Sequence, residues 1–272
     1  IALMQKRLKF LAPRYSTVQT QKANSPIGKK LLFLDLDSNL EQSESKELSN
    51  LRKKLTSNSI DSDIRLGILT GRSIKAARYR YSELHLPSPS VWICRAGTEI
   101  YYADENKSDV FWQDSISIDW NRKKVEKALF DLKDYLVLQS IDQQGPFKVS
   151  YLLKETEDAI LPLVRKRLRQ IGLAALPHLR CHWYLDIVPL RASRSEAIRF
   201  LTLRWGLSLE QVLIVASQQG DAELLKGLTS TVVPVEHDPS LDSLRSQQGV
   251  FFSSVAREGI VDGLKHFRFL KK

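Results

Sequence analysis

Two carboxylates close an apolar run. In Leu31-Leu32-Phe33-Leu34-Asp35-Leu36-Asp37 the hydrophobic residues are nearly continuous, as in a parallel strand buried on both faces, and Asp35 and Asp37 stand at its exit. In an open α/β sheet, ligands bind beyond the carboxyl ends of the strands, so acids placed there are candidates for chemistry. Burying them without partners is costly, and Mg²⁺, which prefers one or two carboxylates plus carbonyls and water, is the simplest remedy. The alternative is a strand end whose acids cap the next turn. A second apolar strand, Leu66-Gly67-Ile68-Leu69, runs into Thr70-Gly71-Arg72-Ser73. A hydroxyl, a glycine and then a helix start form a place to hold an anion, because helix-start amides point at it. Ser73 suits the N-cap of the helix that follows. Ser193-Arg194-Ser195-Glu196 has the Ser-x-x-Glu spacing of a capping box.

The intervening elements must bring these groups together. Residues 43–57 predict a helix with Leu48, Leu51 and Leu55 on one side, and Val91-Trp92-Ile93-Cys94 a third strand leading to a hairpin arm over 97–102. Between about 111 and 189 the texture changes. Helical patterns over 122–134 and 157–171 alternate with strands over 147–151 and 179–188, which predicts a smaller inserted α/β unit with one solvated sheet face, suited to serve as a lid. The first pattern then resumes with a helix ending at Gly206, strands over 212–216 and 231–235, and a terminal helix over 253–269. Strand and helix alternate at lengths suited to right-handed crossovers. The expected fold is therefore α/β, a Rossmann-like doubly wound parallel sheet over 29–112 and 190–272 with an α/β cap over 113–189.

The 272 residues are 43% apolar, enough for a proper core, and carry a formal charge of +10. Residues 1–34 hold seven Lys and Arg and no acid, leaving +3 for the remainder. The main body is nearly balanced, so no nucleic-acid partner is expected. No apolar stretch has membrane-spanning length and no secretory signal opens the chain, so no membrane partner is expected and a cytoplasmic location is. Cys94 and Cys181 lie in apolar runs and read as buried free thiols. Ile1, Leu3, Met4, Leu8 and Leu11 fall near helical spacing, followed by Pro13 and a polar stretch to Pro26. Residues 1–28 are thus expected to be the last helix of an upstream domain plus a linker.

The ordered set Asp35-Leu36-Asp37, Thr70-Gly71-Arg72, Gly97-Thr98-Glu99-Ile100, the helix start at Arg194, and Gly220-Asp221-Ala222-Glu223-Leu224 resembles the haloacid-dehalogenase-like phosphatases, in particular the sucrose-phosphatase branch. Leu179-Arg180-Cys181-His182, Val188 to Ala197, and Arg204-Trp205-Gly206 look like the phosphatase-like C-terminal domain of sucrose-phosphate synthases. The resemblance implies Asp35 as nucleophile and Asp37 as general acid/base, with Mg²⁺ held by Asp35, the Asp37 carbonyl and Asp221. It implies that Thr70 contacts the phosphoryl group, beside Gly71 and Arg72, and that Lys148 contacts sugar. The substrate would be sucrose-6-phosphate or a related sugar phosphate. The partners would be an upstream glycosyltransferase domain and a separate sucrose phosphatase.

The pattern also departs from the family. Arg194 stands where the family has Lys, Ser217 where it has a metal-binding Asp, Asn39 where it has Thr, and Phe147 where His is expected. Arg keeps the charge but replaces a compact ammonium by a planar fork. Ser removes a charged oxygen from a hard-cation site. Mg²⁺ binding is expected to be weak or absent, and the domain to be catalytically degenerate with a regulatory, structural or docking role. The alternatives are an active Mg²⁺-dependent phosphatase and a sugar-phosphate sensor without turnover. Apart from any resemblance, Lys148 reads as a cross-strand lysine on the solvated cap face.

Overall fold

The computed structural model describes residues 30–40, 45–56, 64–154, 157–180, 182–226, 229–255 and 258–270. The helix and linker expected over 1–28, and Cys181, lie outside them. In chain order the first elements are β1 (Lys30–Asp35), α1 (Ser45–Thr56), β2 (Ile64–Leu69), α2 (Ile74–Ser82), β3 (Val91–Cys94) and β4 (Glu99–Tyr102). After α3 (Val110–Ser117) come α4 (Arg122–Leu129), β5 (Leu136–Leu138), β6 (Val149–Leu153), α5 (Glu157–Gln170), β7 (Ala175–Arg180) and β8 (Tyr184–Pro189). The chain continues through α6 (Arg194–Trp205), β9 (Val212–Val215), the short α7 (Ala222–Leu225), β10 (Ser230–Val233), β11 (Val250–Phe252) and α8 (Gly259–His266).

Seven strands form one sheet in the order β11-β10-β9-β1-β2-β3-β4, parallel throughout except for the β3–β4 pair. The apolar run of β1 explains its central place. Leu31 and Phe33 enter one apolar layer, with Trp112, Leu201 and Ile214, while Leu32 and Leu34 enter the opposite layer, with Leu51, Trp92 and Leu264. A strand covered on both faces has no polar side to show water. From β1 the chain proceeds to β2 on one flank, and it returns much later as β9 on the other. That reversal is the switch point of a doubly wound sheet, and the carboxyl ends of β1, β2 and β9 converge there.

The second sheet is antiparallel, in the order β5-β6-β8-β7. Its apolar face (Val149, Tyr151, Leu153, Leu185, Ile187) packs on Val125 and Leu129 of α4 and Ile160, Val164 and Leu168 of α5. The single strand expected over 179–188 is instead the hairpin of β7 and β8, with Arg180 paired to Tyr184 and His182 at φ 61° in the reversal. The terminal helix is likewise confined to Gly259–His266. The expected solvated face is not solvated. Strand pleating sends Lys148, Ser150 and Asp186 away from the cap's apolar core, but all three are 0% exposed: Ser150 bonds to Asp186 and to the Gln143 carbonyl of the cap's own loop, and Lys148 reaches the Gly71 carbonyl of the core. Cys94 is buried, as expected.

Candidate functional site

Asp35, the last residue of β1, is 4% exposed. Its Oδ1 accepts from the backbone N–H groups of Asp37 and Ser38, both at 2.9 Å, as the chain curls back over the strand end. Burial, with Asp37 and Asp221 as like-charged neighbours, pushes its pKa up to about 7. Asp37 faces β2. Its Oδ2 accepts from the Thr70 hydroxyl and the Gly71 N–H, each at 2.9 Å, and its Oδ1 from Arg72 Nε at 2.6 Å. Burial works to raise its pKa, but the Arg72 bond and the Gly71 amide outweigh it and hold Asp37 below the ordinary carboxylate range. Two acids two residues apart are therefore pushed in opposite directions.

Arg194 opens α6, whose N-cap Ser193 accepts from Glu196 N at 3.2 Å. Gly97, at φ 93°, lets the preceding loop press on this helix start; a Cβ there would fall 2.3 Å from the Ser193 carbonyl carbon. So fixed, Arg194 Nη1 lies 3.0 Å from Asp35 Oδ2 and 2.8 Å from Asp221 Oδ1, and Nη2 donates to the Gly220 carbonyl at 2.5 Å. The other oxygen of Asp221 accepts from Ser217 N and Gln218 N at 2.9 Å. Asn39 joins β1 to this loop, because its Oδ1 accepts from Asp35 N and its Nδ2 donates to Ser217 Oγ, both at 2.9 Å.

The cap closes the crevice. Lys148 Nζ donates to the Gly71 carbonyl at 3.2 Å and lies 3.3 Å from Asp186 Oδ1, and Arg180 Nε pairs with Asp186 Oδ2 at 3.0 Å. Burial drives the Lys148 pKa down. For Asp186 burial acts upward, yet Arg180 and Lys148 hold its pKa below the usual range. The Arg180 guanidinium lies close against Gly71, where a Cβ would meet Nη1 at 2.4 Å.

Asp35, Asp37, Thr70, Gly71, Arg72, Lys148, Arg194 and Asp221 are thus brought to one crevice. Lys148 is there as a buried tie between cap and core, not as the exposed cross-strand lysine its alternation predicts. Asp186 and Arg180 were not singled out as site residues. The signal for Asp186 was present: an acid between Leu185 and Ile187, on the strand face opposite the apolar one. Arg180 carries no such mark.

The donor set does not fit a divalent cation. The two carboxylates that could share one, Asp35 and Asp221, already share the Arg194 guanidinium. The third corner offers the neutral Ser217 hydroxyl, which accepts from Asn39. Among the described residues no group of three or more His, Cys, Asp or Glu is placed to hold a metal ion.

The family model for sucrose-6F-phosphate phosphohydrolase matches residues 28–268. A probable sucrose-phosphate synthase 1 of Oryza sativa subsp. indica is 30% identical over 159 residues, covering 52% of this chain and 15% of its own. A probable sucrose-phosphate synthase 3 of Arabidopsis thaliana is 27% identical over 185 residues, covering 60% and 17%. The chain thus spans about a sixth of the length of these curated relatives. Among solved structures, the sucrose-phosphatase of Synechocystis sp. PCC6803, in complex with sucrose and phosphate, superposes with a TM-score of 0.79 at 24% identity, over 89% of this chain and 98% of that one. A haloacid dehalogenase-like hydrolase of Bacillus subtilis gives 0.62 at 18% identity, over 88% and 92%. These likenesses establish the fold as the haloacid-dehalogenase type.

Proposed function

Because the chain belongs to the sucrose-6F-phosphate phosphohydrolase family, we propose that it is the phosphatase-like domain of a sucrose-phosphate synthase, degenerate in catalysis, with a regulatory, structural or phosphatase-docking role. On this reading residues 29–112 and 190–272 form the core, 113–189 the cap, and 1–28 the link to a glycosyltransferase domain in the cytoplasm.

One observation carries the reading. The oxygen of Asp35 that is free of backbone bonds, Oδ2, faces Arg194 Nη1, which also contacts Asp221. Phosphoryl transfer rests almost entirely on positioning and charge compensation. Here the available cation is already shared by two carboxyl groups, Ser217 supplies no third, and burial beside Asp37 and Asp221 holds the Asp35 pKa up at about 7. The reacting groups are retained: Asp37 remains hydrogen-bonded to Thr70, and Asp35 remains at the strand exit. The defect lies in their electrostatic support, and one lost donor of that kind costs on the order of 10²–10³ in rate. The cap adds a steric obstacle. The crevice encloses about 50 Å³, against roughly 300–1,000 Å³ for pockets that bury a drug-sized ligand.

Phosphate release from sucrose-6-phosphate in the presence of Mg²⁺ is the test. The expected result is no release above that of Asp35→Asn. Release at a rate typical of enzymes, roughly 1–10³ s⁻¹, abolished by Asp35→Asn, overturns the proposal in favour of an active phosphatase.

A further inference from the structure

The outer helices of the cap carry a concentration of charge that the crevice does not use. Lys123, Lys124 and Lys127 of α4 and Arg165, Lys166 and Arg169 of α5 are all exposed, and among the described residues none of them makes an ion pair. The one acid within α4, Glu126, is taken by Arg122 at 2.8 Å, and the acids of α5 are its first two residues, at the far end of that helix.

The two groups of cations adjoin. Arg122 Nη1, at the start of α4, donates to the Gly145 and Lys148 carbonyls just ahead of β6. α5 delivers the chain to β7, whose first residue, Ala175, pairs with Pro189 at the end of β8, and Val149 at the start of β6 pairs with Ile187. The start of α4 and the end of α5 therefore lie at one end of the same sheet, side by side on its helical face.

Local stability does not account for this arrangement. The last turn of α5 suits its cations, but the first turn of α4 has three cations and no acid, the reverse of what a helix dipole favours. Lys123 and Lys127, and likewise Arg165 and Arg169, are like charges at i, i+4, which repel across one helical turn. Residues that oppose local stability mark candidate functional positions. A partner bringing negative charge relieves both conflicts.

The surroundings narrow the class of that partner. Membrane-binding helices set Trp, Phe or Leu beside their cations, whereas Val125, Leu129, Val164 and Leu168 are turned into the cap core. Surfaces for nucleic acid interleave aromatic rings for stacking or offer an element that enters a groove. Trp120, just before α4, is half-buried, with its Nε1 given to the Pro146 carbonyl. Carboxylates need neither device. Each i, i+4 pair of cations spans about 6 Å by helix rise, which matches acids repeated at the same spacing on a protein segment.

We propose that this face of the cap docks an acidic segment of a protein partner, its carboxylates on Lys123, Lys127, Lys166 and Arg169. This gives the docking role of the proposed function a surface. It asks nothing of the crevice, so its test is separate from any measurement of hydrolysis.

Fluorescence anisotropy of a labelled oligoglutamate peptide with the full chain, at about 0.15 M salt, reads the binding. Reversing the cap cations together (Lys123→Glu, Lys127→Glu, Lys166→Glu and Arg169→Glu) should weaken it about tenfold or more, four ion pairs being replaced by repulsion. Lys46→Glu, Lys53→Glu, Lys75→Glu and Lys265→Glu together make the same change in net charge at exposed positions of the core and should leave binding nearly as it was. Because residues 1–34 are also basic, carbodiimide coupling followed by mass spectrometry locates the peptide, with adducts expected on Lys123, Lys124, Lys127 and Lys166. Absence of binding overturns the proposal, as do equal losses in the two fourfold variants or adducts concentrated on lysines of residues 1–34. Tighter binding of phosphatidylserine vesicles or duplex DNA, lost on reversing the same cap cations, would also overturn it. Melting curves verify folding, and should the fourfold cap variant fail, Lys123→Glu with Lys127→Glu is read in the same way, undiminished binding rejecting the surface.

Discussion

Arg194 Nη1 donates to Asp35 Oδ2 at 3.0 Å, and the same nitrogen is 2.8 Å from Asp221 Oδ1. A single side-chain cation thus sits between the two carboxylates of the crevice that a divalent ion would have to share. Mg²⁺ could enter only by displacing a guanidinium that is also bonded to the Gly220 carbonyl. Calorimetric titration with Mg²⁺ is therefore expected to show no binding at millimolar concentration. Ser217→Asp alone should improve this little, because Arg194 keeps its place. Ser217→Asp with Arg194→Lys should bind most tightly, and equal affinities for the single and double variants would mean that Arg194 yields freely.

The raised pKa of Asp35 makes stability depend on pH. Between its unfolded value of 3.8 and about 7, the folded chain keeps a proton that the unfolded chain releases. The unfolded state then binds fewer protons, so stability falls as pH rises through this window. His178, with its pKa lowered by burial, acts in the opposite sense, so the comparison must be made against Asp35→Asn. Urea unfolding over this range should show Asp35→Asn gaining on the parent chain by an amount on the order of a few kcal/mol. A constant difference would contradict the assigned pKa.

Removing the bridging cation should be expensive. Arg194 is only 12% exposed and faces Asp35, Asp221 and Glu223. Arg194→Met leaves buried carboxylates uncompensated, a change that typically costs about 3–5 kcal/mol. Urea titration measures it, and adding Asp35→Asn to Arg194→Met should restore part of the loss. Independent, additive effects would show that the bridge is not energetically coupled.

Gly71 is where the cap rests on the core. Gly71→Ala puts a methyl group 2.4 Å from Arg180 Nη1, so the guanidinium must shift against its pairing with Asp186, at a cost expected at the low end of the roughly 1–3 kcal/mol typical of overpacking. In a double-mutant cycle the penalty should largely vanish in the Arg180→Ala background, where the guanidinium is gone. An unchanged penalty there would place the strain elsewhere.

The parallel sheet was legible because β1, β2 and β9 are short apolar runs bounded by polar turns, and burial on both faces leaves that signature in any order of strands. The β7–β8 hairpin was not, since its reversal at 180–184 contains no glycine or proline and depends on His182 adopting a positive φ. Lys148 was misjudged for a related reason. Alternation shows that it points away from Val149, but not whether that direction leads to water or to another sheet.

The sequence by itself determined the sheet-forming segments, the acids at their exits, and the helix starts at Ser73 and Ser193. These are properties of residue type and spacing, which local sterics and hydrophobic periodicity express directly. Only the tertiary structure decided what the charges do. It joined Arg194 to Asp35 and Asp221, Arg72 to Asp37, and Lys148 and Arg180 to Asp186. Ion pairs between residues up to 159 positions apart follow from how distant segments of the chain converge in the fold, and the pKa of each buried acid is set by that convergence, which no local pattern encodes.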